Sequence, residues 1–429
     1  MIYKLEDYKK FQAKCEADLD EYVKTDFRII GMKGKIKFAF FKLLGKISKP
    51  NNYNGVVDLL KVKRILLLRY DVIGDYIVTT SLINFIKSIN PNILIDIVIT
   101  EKNEILAKND PNINKYYQVK YSKHYNFNYI KLKHLRKNDY DLIFALISSK
   151  ITKSALITFF SAPHAIKIAS YDSRNKEIYS QFFEILTKDF KGGQTWTQKM
   201  LNLGKLNIVN KQADPANESP YIILNKEAIE KINAWTQEYN LSYNPKLDNI
   251  RVKNSTLDKL SARQGREYVV INMAGSNEKR VLSKNNIIEI IKPLAIQFPD
   301  LLFFLSGGPA FKELNKDIIY ELGIENIKLL DLDLLSFMGA LIGAKLLISP
   351  DTSAVHIAAT AGVPEVVMFS SEGLLYEWYP YNTKFIPLLA DKDENVNSIP
   401  SEEVISSANI LLNKIDSDLI FNLNEQKNT

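Results

Sequence analysis

Residues 65–89 have the sequence ILLLRYDVIGDYIVTTSLINFIKSI, in which an apolar run, a polar loop and a helix-like pattern follow one another. The run Ile65–Leu68 predicts a buried strand. From Asp75 to Ile89 apolar side chains recur at helical spacing, which predicts a helix with one buried face. A second apolar run, Ile93–Ile99, predicts the next strand. This order is typical of a β-α-β unit with a parallel sheet.

The same alternation continues to about residue 390, interrupted by the polar, proline-bearing stretch 211–220. Further strands are predicted at Leu142–Leu146, Tyr268–Met273, Leu301–Leu305, Leu346–Ser349 and Glu365–Phe369, and further helices at Asn285–Phe298 and Ser353–Ala361. We therefore expect an α/β protein with two similar halves. The predicted divisions are a helical N-terminal extension (1–60), a first domain (61–212), a second domain (213–390) and a C-terminal helix with a tail (391–429).

Composition excludes several classes of protein. The chain has 429 residues, of which 46% are apolar and 24% charged, as expected for a globular protein of two domains. One cysteine, Cys15, and four histidines exclude an internal disulfide and a multi-thiolate zinc site, and we predict no metal. The sequence lacks a signal-peptide pattern and any run of 18 apolar residues, which predicts a cytoplasmic protein. Without G-x-G-x-x-G, Walker A or G-x-S-x-G motifs, a dehydrogenase, a P-loop enzyme and an α/β-hydrolase are disfavoured.

Residues 24–49 form a basic block in which Asp26 is the single acid. If residues 33–49 are helical, one face holds Ile36, Phe40, Leu43 and Ile47, and a neighbouring face holds Lys35, Lys42, Lys46 and Lys49. Phe38 and Phe41 lie off this apolar face. Two interpretations remain open: a helix lying on an anionic membrane surface, or a helix packed on the protein with solvated lysines. A nucleic-acid partner is disfavoured because no base-reading motif accompanies the block.

The loops that follow strands are where open α/β sheets bind ligands. In the loop Arg69–Asp75, Gly74 permits a tight turn, and Asp75 either caps the following helix or faces a cleft. In the loop 349–356, Asp351, Thr352 and Ser353 open a helix whose free N–H groups suit a phosphate, although helix capping explains part of the pattern.

A third loop, Ala274–Arg280, places Lys279 beside Arg280, either as a pair that neutralises a departing diphosphate or as a solvated basic turn. Another strand ends at Gly307 and Gly308. Asp331-Leu332-Asp333 has the D-x-D pattern of metal-dependent sugar transferases, but Asp333 precedes a helix and is expected to be its N-cap. His356, among apolar neighbours, is interpreted as a loop organiser with a contact to a ligand.

Three motifs in order resemble glycosyltransferase family 9, the family of ADP-heptose:lipopolysaccharide heptosyltransferases. They are RYDVIGDYIVTT (69–80), NMAGSNEKR (272–280) and SPDTSAVHIAATAGVP (349–364). The resemblance covers about residues 62–390. It implies a GT-B fold, in which an acceptor-side domain and a nucleotide-sugar domain, both Rossmann-like, face each other across a cleft.

The resemblance also implies roles for residues. Asp75 would be the catalytic base of an inverting, metal-independent transfer, and Lys279 and Arg280 would stabilise the leaving diphosphate. The donor side would consist of Gly275, Ser276, Asp351, Thr352, Ser353, His356, Gly307 and Gly308, and the acceptor side of Arg69, Asp71 and Gly74. The implied donor is ADP-heptose and the implied acceptor is a lipopolysaccharide or another surface glycan, at the inner face of the bacterial inner membrane. No cofactor is expected.

Two other hypotheses remain open at this stage. The fold could use another nucleotide sugar or a protein acceptor, because Val281, Ser353 and Ser370 stand where the family usually has tryptophan, glycine and glycine. Alternatively, the chain could be a catalytically silent scaffold that binds sugar nucleotides.

Overall fold

The computed structural model describes residues 4–11, 13–14, 31–50, 53–119, 129–171, 176–188, 194–206, 208–209, 218–253, 260–275, 277–391 and 395–422. The chain forms two compact units. The N-terminal unit is Lys14–Pro220, and the C-terminal unit is Tyr221–Thr429 together with Met1–Ala13. The division between the units falls at the end of the polar stretch 211–220, a few residues after the predicted boundary at 212.

The N-terminal unit is built on a parallel sheet of six strands. In chain order these are β1 (Arg64–Leu68), β2 (Leu94–Ile99), β3 (Ile113–Gln118), β4 (Leu142–Ala145), β5 (Ile166–Tyr171) and β6 (Ile185–Lys188). They lie in the order β3-β2-β1-β4-β5-β6. The strand order therefore reverses at β1, as in the Rossmann fold. A two-residue pair, Val57–Asp58 with Ile208–Val209, lies outside this sheet.

The helices of this unit connect and cover the strands. They are α1 (Gly31–Ile47), α2 (Ile73–Ile89), α3 (Glu104–Asn109), α4 (Ile151–Ser161), α5 (Lys176–Tyr179) and α6 (Trp196–Lys205), with 3₁₀ turns at Tyr129–Asn138 and Ser148–Lys150. Helix α2 is buried along almost its whole length because it packs on the sheet and on α6. The predictions for β1, α2, β2 and β4 are confirmed to within two residues at each end.

The C-terminal unit repeats this architecture. Its strands are β7 (Tyr268–Asn272), β8 (Leu302–Ser306), β9 (Ile327–Leu329), β10 (Leu346–Pro350), β11 (Glu365–Phe369) and β12 (Phe385–Leu389). The order β9-β8-β7-β10-β11-β12 reverses at β7, and all neighbouring strands are parallel. Two similar α/β halves were predicted, and two parallel six-stranded sheets confirm them. A small parallel pair, Ile222–Leu224 with Ile250–Val252, stands apart.

Between residues 221 and 422, the described part of the C-terminal unit contains seven α-helices. They are α7 (Lys226–Glu238), α8 (Lys284–Gln297), α9 (Lys312–Leu322), α10 (Leu334–Ile342), α11 (Ser353–Thr360), α12 (Glu372–Trp378) and α13 (Ser401–Leu412). The predicted C-terminal helix, α13, packs on α8 and on the sheet of this unit through Val404, Ala408 and Leu412. Within the described part of the chain, no helix combines the length and the apolar character needed to cross a bilayer.

The first residues of the chain belong to the C-terminal unit rather than to a separate extension. Tyr8 is buried against Tyr376, Tyr379 and Phe421, and its carbonyl accepts a hydrogen bond from the Tyr376 hydroxyl. Phe11 stacks on the same tyrosine ring, with 4.0 Å between centroids. The N-terminal segment is therefore tied to an aromatic cluster more than 360 residues away.

Helix α1 packs on the N-terminal unit with a different face from the one that the sequence pattern indicates. Phe41 and Leu44 are buried among Tyr179 and Phe182, and Phe38 packs beside them. The apolar face identified from the sequence (Ile36, Phe40, Leu43 and Ile47) is exposed. The helix buries its aromatic side because those residues fit the hydrophobic core, whereas the periodicity of the sequence alone predicted burial of the aliphatic stripe.

Two neighbouring phenylalanines in α1 provide a stability test. We expect Phe41→Ala to lower the free energy of unfolding by about 3 kcal/mol, because it leaves a cavity in the core of the N-terminal unit. Phe40→Ala, which removes the same atoms from an exposed site, should change the free energy by less than about 0.5 kcal/mol. Urea unfolding of both variants measures the difference. Equal effects would contradict the packing of α1.

Candidate active site

The loop that follows β1 contains a buried arginine between two carboxylates. The side chain of Arg69 is 1% exposed, and its Nη1 lies 2.6 Å from Asp71 Oδ2 and 3.5 Å from Asp75 Oδ1. Its Nε donates to the Thr79 hydroxyl at 2.7 Å, and its Nη2 contacts the Met200 sulfur at 3.2 Å. A buried guanidinium needs such partners because an unpaired buried charge is costly. The structure thus brings together the predicted acceptor-side residues.

Asp75 lies in the first turn of α2 and is not its N-cap. The N-cap position is occupied by Val72, the helix begins at Ile73, and Gly74 is buried in its first turn. The Asp75 side chain keeps 17% of its surface exposed, and it forms an ion pair with the Arg69 guanidinium. Of the two alternatives from the sequence, the capping position is therefore excluded. A partly exposed carboxylate at a strand-to-helix loop is suited to proton transfer.

Polar contacts in the N-terminal unit bridge the point where the strand order reverses. The Tyr70 hydroxyl, after β1, lies 2.8 Å from the Ser154 hydroxyl on α4, which follows β4. Lys153 Nζ lies 4.9 Å from the centre of the Tyr70 ring, and this lysine is buried. Neither α4 residue was among the candidates predicted from the sequence. The available signal was a lysine and a serine within the apolar helix Ile151–Ser161.

In the C-terminal unit one asparagine joins the ends of β7 and β10. The Asn272 side-chain amide donates to the Ser349 hydroxyl at 2.9 Å and to the Thr352 hydroxyl at 3.3 Å. It also donates to the Ala274 carbonyl at 3.1 Å. These contacts hold together the two loops that were predicted separately from the sequence. The role of Asn272 was missed because the residue lies at the end of a predicted strand.

An ion pair joins the same two loops. Arg280 Nη1 lies 3.1 Å from Asp351 Oδ2 and donates to the Asp351 carbonyl at 3.3 Å. Burial raises the pKa of Asp351 to about 6, although the positive charge of Arg280 opposes the shift. Arg280 Nε is buried with no hydrogen-bond partner among the described residues. Gly275 is needed here because a Cβ at this position would lie 2.0 Å from the Arg280 carbonyl oxygen.

Helix α11 begins beside this ion pair. Thr352 is its N-cap and accepts a hydrogen bond from the Ala354 N–H, and Ser353 is the first helical residue. The positive end of the helix dipole therefore lies at the carboxyl edge of the sheet, next to Arg280. Burial lowers the pKa of His356 to about 4, so this histidine is neutral at pH 7. The residue is 5% exposed, and its ring lies 5.4 Å, between centroids, from the ring of Trp378.

The other predicted donor residues differ in position. Gly307 and Gly308 follow β8, where a Cβ on Gly307 would lie 2.8 Å from Phe311 Cβ and where Gly308 has a φ of 74°. Lys279 is exposed on the 3₁₀ turn Glu278–Arg280. Ser276 lies outside the described residues.

The D-x-D pair has structural partners. Asp333 is the N-cap of α10, which confirms the prediction, and Asp331 pairs with Lys312 at 2.6 Å. Within the described ranges, no group of three His, Cys, Asp or Glu side chains is placed to hold a metal ion.

Two units of this kind, each with a parallel sheet of reversed strand order and polar loops at the reversal, have the architecture of the GT-B fold. A family model described as glycosyltransferase family 9 (heptosyltransferase) matches residues 130–398, more than half of the chain. The chain therefore belongs to glycosyltransferase family 9, the heptosyltransferases of lipopolysaccharide biosynthesis, and it is a glycosyltransferase. The resemblance found in the sequence is confirmed.

Individual relatives are distant. The chain is 22% identical over 316 residues to lipopolysaccharide heptosyltransferase 1 of Campylobacter coli, a match that covers 72% of this chain and 84% of the relative. A family 9 glycosyltransferase of Veillonella parvula superimposes with a TM-score of 0.62 at 16% identity, over 84% of this chain and 100% of the other. The Escherichia coli heptosyltransferase WaaC with ADP-2-deoxy-2-fluoro heptose superimposes with a TM-score of 0.55 at 18% identity, over 80% of this chain and 99% of the other. The structural matches show the shared fold.

The ion pair in the C-terminal unit predicts how stability depends on pH. The pKa of Asp351 is about 6 when folded, against about 4 when unfolded, so the folded state binds more protons between these values. Stability must therefore fall as the pH rises through this window. Asp351→Asn removes the effect. We expect the stability of this variant relative to the wild type to be about 1 kcal/mol higher at about pH 7 than at about pH 5.

Thermal unfolding across this pH range measures the effect, and Arg280→Met supplies the control. Without the guanidinium, the pKa of Asp351 should rise further and the pH-dependent step should move upward. A stability difference between wild type and Asp351→Asn that stays constant with pH would contradict the assignment.

Proposed function

We propose that this protein transfers heptose from ADP-heptose to a lipopolysaccharide-type acceptor by inverting, metal-independent displacement at the cytoplasmic face of the inner membrane. The observation that carries the proposal is the partly exposed Asp75 carboxylate, held by buried Arg69 at the reversal of strand order in the N-terminal unit. Membership in the heptosyltransferase family supports the sugar, and a similar fold determined with an ADP-linked fluoro-heptose supports the donor.

The acceptor side is assigned to the N-terminal unit. The Asp75 carboxylate takes the proton of an acceptor hydroxyl while that oxygen attacks the anomeric carbon of the donor sugar. The new glycosidic bond forms as the bond between the anomeric carbon and the diphosphate oxygen breaks, and ADP leaves. Arg69 is held beside the carboxylate because its Nη1 also donates to Asp71 and its Nε donates to Thr79, and these bonds prevent the guanidinium from rotating.

The donor side is assigned to the C-terminal unit. The N–H groups at the start of α11 and the Arg280 guanidinium lie together at the carboxyl edge of the sheet, where a diphosphate would be stabilised. Lys279 adds a second cation on the same turn. Cationic side chains and a helix N-terminus can stabilise the leaving group in the role that a metal ion has in D-x-D enzymes, and this supports the metal-independent mechanism.

Nucleotide specificity is tested first by titrating ADP, UDP, GDP and CMP in the presence of EDTA. We expect ADP to bind at least about tenfold more tightly than the others, which corresponds to about 1.4 kcal/mol. Isothermal calorimetry with the full chain measures this. Preference for UDP or GDP would favour the alternative of another nucleotide sugar. No binding to any nucleotide would contradict the proposed donor site.

Asp75→Asn tests the catalytic base. We expect turnover to fall by about 10² to 10⁴-fold, the usual contribution of a general base, while ADP affinity stays within about twofold. The measurement is ADP release with ADP-heptose and a heptose-accepting core glycolipid.

Asp71→Asn is the matched control because Asp71 makes the shorter contact to Arg69. If Asp75 served only to neutralise the arginine, removing Asp71 would cost at least as much turnover. We expect a smaller loss for Asp71→Asn, and an equal or larger loss would overturn the role of Asp75 as base. Absence of multiple turnover in the wild type would favour the scaffold hypothesis.

A further inference from the structure

Helix α1 presents a continuous apolar stripe to solvent. Its members are Met32, Ile36, Phe40, Leu43 and Ile47, and their exposed fractions lie between 44% and 74%. Their spacing of four, four, three and four residues keeps them on one side of the helix. Isolated exposed apolar residues are ordinary on protein surfaces, but a contiguous stripe of five indicates an interaction surface.

The opposite side of the helix is fixed to the N-terminal unit. Phe41 and Leu44 are buried, and a Cβ on Gly45 would lie 1.8 Å from the Gln181 carbonyl oxygen, so the helix backbone touches the protein there. At the C-terminal end, the buried Lys167 ammonium donates to the Ser48 carbonyl at 2.8 Å. These contacts prevent the helix from rotating to bury the stripe.

The charges around the stripe have one sign. Residues 31–50 contain six lysines and no acidic residue. The ammonium of Lys37 donates to the Tyr179 hydroxyl and faces the protein. Lys33, Lys35, Lys42 and Lys46 are exposed, the first at one edge of the stripe and the other three at the opposite edge. The basic residues before 31 lie outside the described part of the chain.

We propose that α1 docks the protein on an anionic lipid bilayer, with the stripe in the boundary between headgroups and acyl chains and the flanking lysines on lipid phosphates. An amphipathic helix with aliphatic and phenylalanine side chains on one face and lysines beside them has the composition of interfacial membrane helices. The proposal is independent of the reaction, because α1 contributes no residue to the candidate active site.

The positive charge around the stripe favours an anionic membrane, rather than a second copy of the chain, as its partner. Two copies pairing through this face would bring the same lysines together, and no acid between residues 31 and 50 would neutralise them. An anionic leaflet supplies the opposite charge. Each basic residue near such a surface strengthens binding about fivefold.

The test is co-sedimentation of the full chain with vesicles of phosphatidylcholine, with and without phosphatidylglycerol. We expect binding only when phosphatidylglycerol is present. Phe40→Ser/Leu43→Ser should weaken that binding at least about tenfold. Its control, Ile105→Ser/Ile296→Ser, removes exposed apolar side chains elsewhere and should bind like the wild type. Because all four positions are exposed, the variants should fold, and unchanged ADP binding and circular dichroism check this.

A second pair of variants separates local charge from net charge. Lys35→Glu/Lys42→Glu/Lys46→Glu should reduce vesicle binding at least about tenfold. The control variant Lys9→Glu/Lys102→Glu/Lys292→Glu has the same net charge as the first variant, and it should keep most of the vesicle binding. The proposal is overturned if the stripe variant binds vesicles like the wild type, if both lysine variants lose binding equally, or if neutral vesicles bind as well as anionic ones. Light scattering that shows a dimer dissociated by Phe40→Ser/Leu43→Ser would assign the stripe to a second copy.

Discussion

The reversal of strand order at the first strand of each sheet is the constraint on which the candidate site depends. In each unit the first strand, β1 or β7, lies between the second and the fourth strand of its sheet, so the connections leave the sheet in opposite directions at that point. The loops after β1 and β4, and those after β7 and β10, diverge and leave a crevice at the carboxyl edge. Because these strands are almost entirely buried, they hold the loops firmly. The side chains that join the loops at these reversals, such as Tyr70 in the N-terminal unit and Asn272 in the C-terminal unit, lie at the carboxyl edge of the sheets.

Charge is concentrated at these reversals at a cost to stability. Arg69 is buried with two carboxylates, and Asp351 is buried with one guanidinium while its pKa is raised by burial. Buried ion pairs of this kind add little net stability, because desolvation offsets much of the attraction. If these positions had only a structural role, hydrophobic side chains would stabilise the protein at least as well as the ion pairs. The presence of desolvated charges at the carboxyl edge of both sheets is the pattern expected of a functional site.

Local patterns in the sequence were enough to predict seven of the twelve strands of the two sheets, several helices and the Asp333 cap. Each of these depends on residues within one turn or one strand, such as the apolar run Ile65–Leu68. The contacts that complete the site join residues that are far apart in sequence. At the candidate site Tyr70 meets Ser154 and Asn272 meets Ser349, and away from the site Tyr8 meets Tyr376. Nothing in either partner's local sequence indicates these pairings. The motifs located the loops, whereas the contacts between them required the three-dimensional structure.

Helix α1 shows why periodicity alone cannot choose a packing face. Its sequence carries two apolar faces, an aliphatic stripe ending at Ile47 and an aromatic side with Phe38 and Phe41. Hydrophobicity favours burial of either face. The choice is made by Gly45, because only a residue without a side chain lets the helix backbone approach the Gln181 carbonyl, and that approach places Phe41 in the core. A glycine within a helix is locally unfavourable, so its cost must be offset by the packing that it permits. The aliphatic stripe is therefore exposed as a consequence of a better fit on the other side.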